Sequence, residues 1–119
     1  MKLEPVFINS GGYKRHIGDL LKGKKRFYKQ VDSSRHKLRV LGAYGISSQF
    51  LTSKLLKGNY TIYLEEVDTK NWYSVSAKEF KEKGQYLHFK GNQDHDTQIF
   101  LPLEQWHKLT EEEIYKLNY

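Results

Sequence analysis

The hydrophobic positions of this chain fall into two regimes, and the regular one begins near residue 46. Ser47 or Ser48 is placed to cap a helix whose apolar stripe is Phe50, Leu51, Leu55 and Leu56, with Gly58 beyond it as a stop. Tyr60 to Val67 is the clearest strand. Tyr60, Ile62 and Leu64 alternate there with Thr61, Tyr63 and Glu65. Asp68-Thr69-Lys70-Asn71 turns the chain into Trp72–Val75, the partner of a hairpin. Ser76 and Glu79 form a capping box that opens a short helix ending at Lys83 and Gly84. Gln85–Phe89 and Thr97–Leu101 are two further strands, separated by the polar residues 90–96. Pro102 ends the second, because it has no amide to donate to a ladder. Thr110 and Glu113 repeat the capping box and open a C-terminal helix running to about Leu117. Glu111, Glu112 and Glu113 fall in its first turn, where the helix dipole favours them.

The first 45 residues are less regular. Val6-Phe7-Ile8 reads as a short strand before the turn signal Asn9-Ser10-Gly11-Gly12. His16 to Leu21 reads as a helical turn closed by Gly23. Lys24 to Lys29 reads as a strand or as a mobile basic arm, and Asp32-Ser33-Ser34 as a turn or a cap. Lys37–Leu41 reads as a strand, followed by a tight turn bent at Gly42 and Gly45. Together these elements predict an α+β fold: a small antiparallel sheet of about four to five strands with two to three short helices. The expected organisation is one domain over residues 1–119, with a basic N-terminal segment 13–39 and a better-patterned core 40–117.

Composition narrows the chemistry. There is no cysteine, so disulfides, thiolate metal sites and cysteine nucleophiles are excluded. No apolar run reaches the length of a membrane span, and the N-terminus lacks a signal-peptide pattern, so the expectation is a cytoplasmic protein with no membrane partner. Aromatic residues make up 14% of the chain, which argues against disorder.

Charge changes the picture most. The net charge of +6 is unevenly spread: residues 1–58 carry +10 and residues 59–119 carry −4. The excess concentrates in Lys14, Arg15, Lys22, Lys24, Lys25, Arg26, Lys29, Arg35, Lys37 and Arg39. Tyr13, His16, Phe27, Tyr28 and His36 are interleaved with them. Basic groups bind phosphates by Coulomb attraction and counterion release, and exposed aromatic rings stack on bases. The candidate nucleic-acid-binding set is therefore the ten basic residues with Phe27 and Tyr28. The same stretch also suits an acidic protein surface, or a strand whose aromatics are core and whose lysines face solvent.

Other constellations are weaker. His88, Asp94, His95, Asp96 and His107 are metal-ligand types, but consecutive Asp94-His95-Asp96 place the histidine opposite both aspartates in extended chain. Asp68, Lys70 and Glu79 have the residue types of a metal-dependent nuclease, although Asp68 falls in a turn and Glu79 in a capping box. The serines have ordinary roles as caps and turns. No catalytic residue, metal site or cofactor is assigned.

From residue 36 the chain carries Arg39-Val40, Ala43-Tyr44-Gly45-Ile46, Tyr73-Ser74-Val75 and Gln98-Ile99-Phe100-Leu101-Pro102-Leu103-Glu104-Gln105-Trp106. Over residues 36–107 this order resembles small bacterial proteins of the accessory genome, of plasmid or phage type. The resemblance implies a compact domain in a mobile-element setting and transfers no catalytic residue. The expected function is a small non-enzymatic protein that binds DNA or RNA. The alternatives are a protein-interaction factor, acting as inhibitor or adaptor of a larger complex, and a metal-dependent nuclease.

Overall fold

A strand that buries alternate residues needs cover on the face it buries, and the central strand of this protein needs it on both. The computed structural model describes residues 3–10, 12–88 and 97–117. Its larger sheet contains β1 (Glu4–Ser10), β2 (Tyr13–Leu21), β3 (Arg26–Val31), β5 (Thr61–Glu66), β6 (Asn71–Ser76) and β9 (His107–Lys108). The strand order is β1-β2-β3-β5-β6-β9. Every pair is antiparallel except β3 with β5, which run parallel from Arg26↔Thr61 to Val31↔Glu66. The smaller sheet has the order β4-β8-β7, from β4 (Ala43–Ser47), β7 (Gln85–His88) and β8 (Thr97–Pro102).

On one face of the larger sheet, Leu20, Phe27, Ile62, Leu64 and Val75 pack against Tyr44, Ile46, Ile99 and Leu101 of the smaller sheet. The connection between β4 and β5 adds to this core. It is α1 (Ser48–Phe50), which widens into a π-helical turn over Leu51–Leu55 and buries Leu51 and Leu55. Ser47 caps it, accepting from the Phe50 amide at 3.5 Å. The left-handed residue that ends it is Asn59 rather than Gly58. Phe80 of α2 (Ala77–Lys83) closes the same core, with its ring against Trp106 at 5.7 Å. The Trp106 indole donates to the Leu101 carbonyl at 3.0 Å, which satisfies its buried N–H.

The opposite face buries Leu21, Tyr28 and Trp72 under Leu109 and Leu117. The helix α3 (Glu111–Leu117) lies there. Its capping box is complete: the Glu113 amide donates to Thr110 Oγ1 at 3.2 Å, and the Thr110 amide to Glu113 Oε1 at 2.9 Å. That amide, with His107 beside it, holds the Glu113 carboxyl below its usual range. In α2 only half of the box forms. The Glu79 amide donates to Ser76 Oγ at 3.1 Å, while the Glu79 carboxylate pairs with Lys83 at 3.3 Å.

These strands correct the expected single antiparallel sheet of four to five strands. The protein is mostly sheet, with nine strands in two sheets and three short helices among the described residues. The extra strands come from the irregular half. His16–Leu21 is extended within β2 rather than helical, and its alternation is broken by a bulge opposite Val6/Phe7. The expected strand Lys37–Leu41 is a run of turns with one isolated bridge, Leu38↔Ala43. The true strand follows it. All five residues of β4 are buried, so no alternation marks it.

Candidate anion-binding cleft

The strand pair β2–β3 parts where the two sheets meet. Its ladder holds Asp19–Leu21 against Arg26–Tyr28 and goes no further, while Lys29, Gln30 and Val31 continue to pair only with β5. Gly18 stands at the parting, in the left-handed half of backbone space at φ +157°. A Cβ there would run into the Phe27 ring and the Tyr28 carbonyl, so only glycine lets the strands separate this closely. The opening is a cleft of about 660 Å³ between β2, β3, the 32–42 loop, β4 and β8.

Lys29 lies at its inner end. The ammonium donates to the Gly45 carbonyl of β4 at 2.8 Å, tying the larger sheet to the smaller. Gly45 is required to be small, since a Cβ would meet Gln98 and Phe100 of β8. A narrow cavity of about 20 Å³ continues past Lys29 toward Phe27 and Ile46. Removal from water, and secondarily the positive charge of Arg15, pull the Lys29 amine down to about 8.

The 32–42 loop adds three basic side chains to the rim: Arg35, His36 and Lys37. Its backbone is tied down locally. The amides of Arg35 and His36 donate to the Asp32 carbonyl at 3.1 and 2.8 Å. The Ser34 amide donates to Asp32 Oδ1 at 2.9 Å, and the Asp32 amide to His36 Nδ1 at 3.0 Å. With Nδ1 accepting, the protonated nitrogen of His36 is Nε2, an N–H donor. Ser33 fastens the loop to the turn after β5. Its amide donates to Asp68 Oδ1 at 3.0 Å and its hydroxyl to Asp68 Oδ2, and these bonds hold the Asp68 carboxyl below its usual range.

Behind the loop is the one buried carboxylate among the described residues, Glu66. It accepts from the Tyr44 hydroxyl at 2.7 Å and from Thr69 Oγ1 at 2.6 Å, and Lys37 Nζ lies 3.9 Å away. Burial and this carboxylate together push the Tyr44 phenol far above its usual range, so Tyr44 meets the cleft as a neutral group. Along β2, Arg15 and His16 line the cleft, and Asp19 is the acidic residue of that lining, paired with His16 at 3.2 Å. Four basic side chains and two histidines therefore line one concave space.

The twelve residues expected to bind nucleic acid separate into distinct places. Arg15, Lys29, Arg35 and Lys37 reach the cleft. Lys22, Lys24 and Lys25 sit at the β2–β3 turn, at the other end of the ladder, where Lys22 pairs with Glu4 at 3.1 Å. Lys14 and Arg39 are exposed elsewhere. Arg26 supports α3: its guanidinium donates to the Leu117 carbonyl at 3.2 Å and lies over the Tyr63 ring at 5.4 Å. Phe27 is 0% and Tyr28 5% exposed, so both rings are core and neither is free to stack on a base. Gly45, Gln98, Tyr44 and Asp19 are cleft residues outside the expected binding set. They come together from β2, β4 and β8, a proximity that no local spacing carries.

The other candidates do not converge. Among the described residues, no three of His, Cys, Asp or Glu are grouped to hold a metal ion. Asp94, His95 and Asp96 lie outside the described residues, as do the side chains of Tyr13 and His88, while His107 pairs with Glu113 at 2.9 Å. Asp68 is occupied by Ser33 and Glu79 by Lys83. Among the described residues no helix is long and apolar enough to cross a membrane. Comparison with protein-family models, curated proteins and solved structures finds no match.

Proposed function

We propose that this protein binds nucleic acid through the sugar-phosphate backbone, seating phosphate in the cleft between its sheets. The observation that carries the reading is the convergence of Arg15, Lys29, Arg35 and Lys37, from three separate segments, on one concave space. Arginine forks bind phosphate oxygens in pairs, and lysine adds a point charge. A site built this way recognises backbone and carries no base readout of its own. The earlier expectation of aromatic stacking is not part of the reading, because Phe27 and Tyr28 are core.

Fluorescence anisotropy with labelled DNA and RNA over a salt series tests it. Affinity is expected to fall with salt, and the slope counts the phosphates neutralised. Lys78→Glu with Lys81→Glu on α2 is expected to leave binding unchanged. Absence of binding at low salt rejects the reading.

A second reading is an acidic protein partner, whose carboxylates would pair with the same Arg15 and Arg35 guanidinium groups that line the cleft. A stoichiometric partner that survives nuclease treatment during purification supports it, and co-purification that nuclease abolishes removes it.

A further inference from the structure

The shape of the cleft says more about its ligand than its charge does. Duplex DNA presents internal phosphodiesters flush with a convex backbone, flanked by sugars on both sides. A flat or convex basic face suits them. Here the cations line a concavity of about 660 Å³, within the range of pockets that enclose a nucleotide-sized ligand. The innermost cation, Lys29, is fixed to Gly45 between the two sheets, so it is met only by a group that projects inward. A terminal phosphate projects beyond its sugar and has no second ester to block its approach. A phosphate monoester also carries close to two negative charges at neutral pH, against one for a diester. Arg15, Lys29, Arg35 and Lys37 against Asp19 and the Glu66 carboxylate beside Lys37 leave a positive excess that suits the dianion.

We infer that the cleft takes a phosphate monoester at the end of a strand, with Lys29 and Arg35 as its principal contacts. This deepens the proposed function and rests on it. Gln98, which lines the same cleft from β8 and lies against Gly45, offers an amide to the sugar next to that phosphate.

The test is direct binding of single strands of about 12 nucleotides. They would be identical in sequence and labelled internally, with a 5′-phosphate, a 3′-phosphate or hydroxyls at both ends. One phosphorylated strand is expected to bind at least about tenfold more tightly than the hydroxyl strand. That preference is expected to vanish in Lys29→Met and in Arg35→Gln. Arg35 lies on the loop rather than in the core, so its variant tests the inference even if Lys29→Met fails to fold. Equal affinity for all three strands, with a normal salt slope, overturns the inference and leaves the proposed function standing. A nucleoside monophosphate that binds as tightly as the phosphorylated strand supports the monoester site and overturns the strand as its source. No binding of any strand or nucleotide overturns both.

Discussion

The β2–β3 pair carries a cluster of positive charge at each end, and the two clusters are built differently. At the turn, Lys22, Lys24 and Lys25 stand on a 3-10 turn with no buried residue, and Lys22 shares its charge with exposed Glu4. Such groups are screened by water and salt and hold no fixed geometry. At the other end the strands part, Lys29 is drawn between two sheets, and a loop fastened to Asp68 brings Arg35 and Lys37 to the same space. Along the chain the two clusters are alike in composition. Only the second is concave, partly dehydrated and held in place. Charge density marks where a ligand can be attracted, and packing decides where it can be bound.

Four measurements distinguish the two ends. The largest concerns what lies between the two ends. Phe27 is fully buried, with its ring 5.2 Å from that of Phe50, so Phe27→Ala is expected to cost about 3–5 kcal/mol in urea unfolding. A basic arm that orders only on binding would show almost no cost. Next comes the support behind the cleft. Glu66→Ala strips the buried Tyr44 hydroxyl of its acceptor and is expected to cost about 1–3 kcal/mol. It is also expected to loosen the loop that holds Lys37, read as faster amide exchange over residues 33–38.

The third outcome is a pH effect at Lys29. Its amine titrates near 8 in the folded chain against 10.5 as a free side chain. Between those values the unfolded chain binds more protons, so stability rises with pH, by at most about 1.4 kcal/mol per pH unit. The facing groups are Arg15, His16 and Asp19 on β2, Arg35, His36 and Lys37 on the loop, and Tyr44 on β4. Lys29→Met is expected to remove the rise between pH 8 and 10 in chemical denaturation. An unchanged profile would place Lys29 in water like the lysines of the turn. The smallest effect belongs to the turn itself. Lys22→Ala breaks only the exposed pair with Glu4 and is expected to change stability by less than about 0.5 kcal/mol.

The regular half of the chain was largely legible. Alternation at Ile62 and Leu64 marked β5, and the capping boxes at Ser76 and Thr110 marked the starts of α2 and α3, because these signals are local. The bulge in β2, the fully buried β4 and the parallel pairing of β3 with β5 were not, because each depends on what the rest of the chain places alongside. The site followed the same division. Arg15, Lys29, Arg35 and Lys37 stood out as basic residues, but so did Arg26, whose guanidinium serves α3. Gly45 lies 16 residues beyond Lys29 and Gln98 on a much later strand, and no spacing in the sequence joins them to Lys29.

The measurement that bears most directly on this account compares two equal reversals of charge. Arg15→Glu with Arg35→Glu alters the cleft, and Lys24→Glu with Lys25→Glu alters the turn. Binding of a labelled single strand by anisotropy, at two salt concentrations, reads both. The cleft variant is expected to bind at least about tenfold more weakly than the turn variant and to lose about two units of salt slope. Equal weakening by the two variants would mean that net charge alone attracts the ligand and that the cleft has no special part in binding.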